Sequence, residues 1–169
     1  FTFHSYASEY IDDNNIISSN LLRYAIFRYL KENDVLNYSD QYLNSEIVPK
    51  MENLIRYLKS FGILPNHIST DEAKKLLSEE RSWTKAEIDA YAEQFVKIFE
   101  YYESIKAQKG CDYTDLLIKF LRLNKLPEFD IVLIDELQDV IKMEADIALK
   151  SAKQFFAVGD KKQAIFGFQ

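Results

Sequence analysis

The sequence predicts an α/β chain: a parallel sheet carried by its last third, and a long all-helical stretch before it. Three observations carry this reading. Two short apolar runs, "FDIVLID" from Phe129 and "FFAVGD" from Phe155, flank a helical pattern, which is the β-α-β order of a parallel sheet. The preceding hundred or so residues show apolar stripes at spacings of three and four, the period of a helix face. Only 4 Gly and 3 Pro occur in 169 residues, few for a chain built on tight turns.

Taken in order, Phe1 to Asp12 reads as a strand end followed by a helix. Ser18 to Glu32 is a helix with Leu21, Leu22, Ala25, Ile26, Tyr29 and Leu30 on one face, broken by Asn33-Asp34. Ser45 to Phe61 is a second, with Ile47, Met51, Leu54, Ile55 and Leu58 as its stripe and Gly62 as a C-terminal cap. Ser69-Thr70 opens a short helix that runs to Glu80. Thr84 with Glu87 is a capping box for the longest helix, to Ala107, whose stripe includes Phe95, Phe99 and Tyr102. These aromatics read as core. The character changes at Lys109-Gly110. "CDYTDLLIKFLRL" is a short helix, and "FDIVLID" is a strand buried on both faces, being a run rather than an alternation. Val140 to Ser151 is a helix, Phe155 to Asp160 a second buried strand, and Lys161 to Phe166 the start of another helix.

Composition narrows the class. The chain is 47% hydrophobic, 28% charged and rich in Phe (12) and Tyr (11), enough for one ordinary domain or two small ones with packed cores. No apolar run approaches the ~20 residues of a membrane span, and the start gives no secretory signal. Cys111 is alone, so there is neither a disulfide framework nor a cysteine metal cluster, and a cytoplasmic setting is expected. The net charge of −6 argues against nucleic-acid binding through bulk positive charge, though not against a local groove. The charges spread evenly: residues 1–110 hold 13 basic and 17 acidic side chains, residues 111–169 hold 8 and 10. The beginning at Phe1 and the end at "IFGFQ" are expected of a piece of something longer.

The chemistry concentrates in "IDELQD", where a strand runs into Asp135, Glu136, Gln138 and Asp139. One acid at such a place serves as a helix N-cap. Three within five residues repel one another, and such repulsion is tolerated where a cation sits. The second strand also ends in an acid, Asp160, and ligands of open α/β sheets sit beyond the carboxyl ends of strands. A strand ending in Asp-Glu is the Walker B arrangement: the first acid orients a phosphate-bound Mg²⁺, the second polarises the attacking water.

The longer stretch "LIDELQDV" resembles motif II of the UvrD/Rep/PcrA-type superfamily 1A DNA helicases. "FFAVGDKKQAIFGFQ" resembles motif III of that family, "TFHSYA" from Thr2 resembles motif Ib, and "DYTDLL" from Asp112 is similar to the segment before motif II. The four occur in the family's order and cover 35 residues. The resemblance implies part of a RecA-like (P-loop NTPase) parallel-sheet domain, domain 1A, at residues 1–11 and 111–169, with helical subdomain 1B inserted at 12–110. It implies an ATP-dependent DNA helicase, a hydrolase of DNA repair, moving 3′→5′ on single-stranded DNA with ATP and Mg²⁺ as cofactors.

Residue by residue, the resemblance gives Asp135 the Mg²⁺-associated role and Glu136 that of catalytic base beside the metal. Gln138, Asp160 and Gln163 fall at the nucleotide, with Gln163 near the γ-phosphate and Gln138 linking nucleotide state to other motifs. Thr2, His4, Phe166 and Phe168 fall at the DNA, Phe168 as a stacking surface for a base. Taken without the motifs, Phe166 and Phe168 read as core, Gln163 as a surface residue and His4 as a helix N-terminal contact. The implied partners are single-stranded and duplex DNA and the rest of the helicase, namely its P-loop region and domains 2A and 2B, with no membrane. Two departures stand out: Gln169 replaces the family's Arg and Ala164 its Ser. No G-x-x-x-x-G-K-[ST] occurs, so the piece by itself is expected to be inactive. A RecB/AddA-like helicase-nuclease subunit and a non-catalytic DNA- or protein-binding paralogue remain as alternatives, Gln169 favouring the latter.

Overall fold

The computed structural model of the chain describes residues 2–12, 15–33, 36–79 and 83–160. They form two compact units, one drawn from Phe1–Asn14 and Tyr113–Gln169, the other from Asn15–Asp112. The expected helix from Lys161 lies outside the described residues.

Helix α1 is Phe3–Ser8. Thr2 starts it with extended backbone, its Oγ1 accepting from the Ser5 N–H at 3.1 Å while the Ser5 hydroxyl accepts from the Thr2 N–H at 3.1 Å. Of the strand end and helix expected over Phe1 to Asp12, the described residues show the helix, with Thr2 as its cap.

The helical unit follows. Helix α2, Asn20–Glu32, buries Leu22, Ala25, Ile26 and Leu30. The expected helix from Ser45 begins earlier and is not uniform: α3, Asp40–Tyr42, passes through a π-turn, Leu43–Ile47, into α4, Val48–Ser60. Pro49 explains the wide turn. It has no N–H for the carbonyl of Ser45 and its ring would collide with that carbonyl in a regular α-helix. Gly62, at φ +74°, closes α4: its N–H bonds to the Lys59 carbonyl at 2.8 Å and that of Ile63 to the Leu58 carbonyl at 3.1 Å, a Schellman motif. Helix α5, Thr70–Glu79, is capped reciprocally by Ser69 and Glu72. Helix α6, Lys85–Ala107, is capped in the same way by Thr84 and Glu87. Met51, Leu54, Leu58, Phe95, Phe99 and Tyr102 all lie in one buried cluster with Leu22, Ile26 and Trp83.

Two features of this unit carry no mark in the periodicity. Lys59 and Lys106 are only 2% and 4% exposed. The Lys59 ammonium meets Glu103 at 3.1 Å and Asp112 at 2.5 Å, Lys106 meets Glu103 at 2.5 Å, and the Tyr102 hydroxyl donates to Asp112 at 2.8 Å. Buried charges survive only when paired in this way. The second is the unit's closure. Ile17 N–H bonds to the Cys111 carbonyl at 3.0 Å and Cys111 N–H to that of Asn15 at 3.1 Å. Gly110 makes the approach possible: its φ is +144°, and a Cβ there would stand 2.0 Å from the Asn15 carbonyl oxygen.

In the other unit, α7, Tyr113–Leu121, buries Leu116, Leu117, Ile118 and Phe120. Strand β1, Phe129–Ile134, leads through a 3₁₀ turn, Leu137–Asp139, to α8, Lys142–Ser151, and directly to β2, Ala152–Ala157. The strands are parallel, from Phe129 opposite Ala152 to Ile134 opposite Ala157. Strand β2 thus begins and ends three residues before the apolar run suggests. Pairing, not hydrophobicity, sets its start, and Lys153 reaches across to Asp130 at 2.8 Å, a bond that raises the lysine pKa. The expectation of strands buried on both faces is corrected as well. Ile131, Leu133 and Phe156 are 58%, 72% and 61% exposed. Among the described residues, cover comes from α8 and from the Tyr6 ring of α1, tilted against Phe129 with ring centres 5.3 Å apart, while Leu133 stays exposed. None of these helices is long and apolar enough to cross a membrane.

Substituting the two positive-φ glycines separates strain from collision. Gly62→Ala meets nothing within 4 Å and should lose about 1–2 kcal/mol, the cost of a left-handed residue with a Cβ. Gly110→Ala adds the clash with Asn15 and should lose clearly more. Urea denaturation of the two variants side by side checks the order.

Candidate functional site

The carboxylate cluster is built where β1 stops. Glu136 is the turning point, in left-handed backbone at φ 55° and ψ 48°. A residue with a Cβ is costly there, and such conformations gather at functional sites. The Asp135 carboxylate accepts from the Glu136 N–H at 2.9 Å, which steadies the turn. The next residues close a 3₁₀ turn through Asp139 N–H to the Glu136 carbonyl at 2.9 Å. Asp135, Glu136 and Asp139 stay exposed, and Gln138 is 6% exposed.

Gln138 explains how the two strand ends are held. Its amide nitrogen donates to the Glu136 carboxylate at 2.5 Å, and its amide oxygen accepts from the Asp160 N–H at 3.0 Å. The backbone reinforces it: Leu137 N–H bonds to the Val158 carbonyl at 2.9 Å, and Val158 N–H to that of Ile134 at 2.9 Å. Gly159 sits against this seam, where a Cβ would lie 2.7 Å from the Gln138 amide oxygen and 2.9 Å from the Leu137 Cβ. A side chain at 159 would push the strap open.

The structure therefore brings together four of the expected site residues: Asp135, Glu136, Gln138 and Asp160. Gln163, Phe166 and Phe168, with Ala164 and Gln169, lie outside the described residues. Thr2 and His4 are apart from the carboxylates, on α1. Thr2 spends its hydroxyl on the cap already described. His4 stands edge-on to Tyr113, ring centres 5.4 Å apart, with its Nδ1 3.7 Å from Glu144 Oε1. Asp135 also borders a pocket of about 390 Å³ lined by Phe3, Tyr6, Val132 and Ile147. That lining is mostly apolar and also includes Ser151.

Chemically, the loop presents carboxylates of unequal freedom. Glu136 is tethered by Gln138, and Asp135 is held by one backbone donor. Among the described residues, no three of Asp135, Glu136, Asp139 and Asp160 come within ligand distance of one another. Asp135 and Glu136 could serve a cation such as Mg²⁺, which takes one or two protein carboxylates and completes its shell with phosphate and water.

These features define a carboxylate-bearing loop at the end of one of two parallel strands, tied by Gln138 to the end of the other. The model of the UvrD/REP helicase N-terminal domain family matches residues 1–169, and the chain belongs to that family. A comparison with curated proteins finds no match.

The sequence reading missed Gly159 and Glu144. The second had a signal: Glu144 stands three residues after Ile141, the position from which a glutamate reaches back to a helix start. Its Oε2 accepts from the Ile141 N–H at 3.2 Å.

Gln138→Ala strips a partner from both the Asp160 N–H and the Glu136 carboxylate. Loss of about 1–3 kcal/mol is expected, the cost of leaving a buried group unsatisfied, measured as a fall in the urea midpoint of the chain.

Proposed function

We propose that the full-length protein is an ATP-dependent DNA helicase or translocase, moving 3′→5′ on single-stranded DNA, and that this chain is the middle of its domain 1A with subdomain 1B inserted. The observation that carries the reading is the Asp135-Glu136 pair at the end of β1, strapped through Gln138 to the end of β2, in a chain of the UvrD/REP helicase family. The unit drawn from Phe1–Asn14 and Tyr113–Gln169 takes the part of domain 1A, and the unit Asn15–Asp112 that of 1B.

Bound Mg²⁺ would neutralise phosphate charge and align the γ-phosphoryl group, and Asp135 with a neighbouring carboxylate is the natural place to hold it. Glu136 accepts the proton of the water that attacks the γ-phosphorus as the bond to the ADP oxygen breaks. Its tether to Gln138 fixes the direction from which it does so. Asp160, and Gln163 beyond it, report at the nucleotide. Thr2, His4, Phe166 and Phe168 contact DNA, with Phe168 as a stacking platform indifferent to base identity. The P-loop and domains 2A and 2B belong to the remainder of the helicase, whose sheet the exposed face of Ile131, Leu133 and Phe156 would meet. The rival reading, a non-catalytic paralogue, rests on Gln169, which cannot supply the fixed charge of an arginine.

In the full-length protein, Glu136→Gln should lower DNA-stimulated ATP hydrolysis by about 10²–10⁴-fold and leave ATP binding intact. Asp135→Asn should weaken Mg²⁺-dependent nucleotide binding as well. Steady-state ATPase assays beside equilibrium binding of a fluorescent ATP analogue check both. Wild-type protein with no ATPase, or a Glu136→Gln variant as active as wild type, would favour the non-catalytic paralogue.

A further inference from the structure

Glu144 is one carboxylate with two attachments. Oε2 accepts from the Ile141 N–H, and Oε1 faces His4 Nδ1 at 3.7 Å. The first attachment fixes the start of α8. Ile141 follows Val140, whose N–H bonds to the Leu137 carbonyl at 3.2 Å, and Leu137 belongs to the turn that carries Glu136 and Gln138. The second attachment reaches α1. The Glu144 side chain is 15% accessible, and the His4 ring stands edge-on to Tyr113.

The two attachments differ in kind. A nitrogen-oxygen separation of 3.2 Å is within hydrogen-bond range, whereas 3.7 Å is beyond it. The imidazole and the carboxylate are therefore close neighbours without a hydrogen bond between them, and a charge that approaches the ring also acts on Glu144. A DNA phosphate beside His4 competes with Glu144 for the same ring. The carboxylate then shifts toward its remaining partner, Ile141, at the foot of the catalytic loop. Thr2 has no such line to the loop, because its hydroxyl is taken by the cap of α1.

We propose that Glu144 is a positioning residue that couples DNA contact at α1 to the Asp135-Glu136 loop, through its shared hold on His4 and on the start of α8. The inference rests on the helicase reading, and on His4 meeting DNA within it. It adds a residue and a route that the motif resemblance does not contain.

Glu144→Gln in the full-length protein is the test. The amide keeps an oxygen for the Ile141 N–H, so the cap survives, but the charge facing His4 is gone. ATP hydrolysis without DNA should stay at the wild-type rate. The single-stranded DNA needed for half-maximal stimulation should rise by about fivefold or more, the lower end of typical coupling between sites, with the rate at saturating DNA little changed. Combining Glu144→Gln with His4→Ala should add nothing to the effect of His4→Ala alone, because the two side chains act as one link. Unchanged DNA stimulation in Glu144→Gln, while Glu136→Gln is inactive, overturns the coupling and leaves the helicase reading standing. So does a double variant whose losses multiply, or a lowered melting temperature with stimulation per folded molecule unaltered. Wild-type protein that DNA does not stimulate overturns both readings together.

Discussion

The geometry of the carboxylate site depends on one amide. A parallel pair of strands ends in two separate loops, and nothing in the ladder itself aligns them beyond Val158. Gln138 does this with a group that both donates and accepts, so it can bond a carboxylate on one side and a backbone N–H on the other. A glutamate in its place would repel Glu136, and a leucine would leave two polar groups unsatisfied in a nearly buried seam. The left-handed backbone of Glu136 is tolerable because its side chain is held on this strap. Gly159 is small because the strap passes there.

Much of the helical unit was legible because its signals are local. Apolar stripes and caps lie within a few residues of one another, and the observed α2, α5 and α6 begin within two residues of the expected Ser18, Ser69 and Thr84. The π-turn at Leu43–Ile47 was missed although its cause, Pro49, is visible in the sequence: the apolar period runs through it undisturbed, and the backbone adjusts instead. The Lys59-Lys106-Glu103-Asp112 network was illegible for the opposite reason. Its members are scattered over three segments, and only the packed core makes neighbours of Lys59 and Asp112.

The strands show where a hydrophobic run misleads. "FFAVGD" marks where side chains are apolar, but Ala152 and Gln154 already pair with β1. A run of apolar residues likewise predicts two buried faces, whereas the described residues cover only one. At the candidate site, Asp135 and Glu136 stood out because like charges crowd there. Glu144 carries the same charge but sits among ordinary helical residues, and only the arrival of His4 from a distant part of the chain gives it a second partner.

The closure of the helical unit has a consequence for its history. Its incoming and outgoing segments are joined by backbone hydrogen bonds between Asn15 or Ile17 and Cys111, so everything from Ile17 to Gly110 leaves and returns through a doorway one strand-pair wide. A segment with that layout is a cassette. A helical set of another length could close through the same pair of hydrogen bonds, because they are made by the main chain of Asn15, Ile17 and Cys111 and not by their side chains. Gly110, free of any side chain beside Asn15, is the hinge-pin that the exchange must keep.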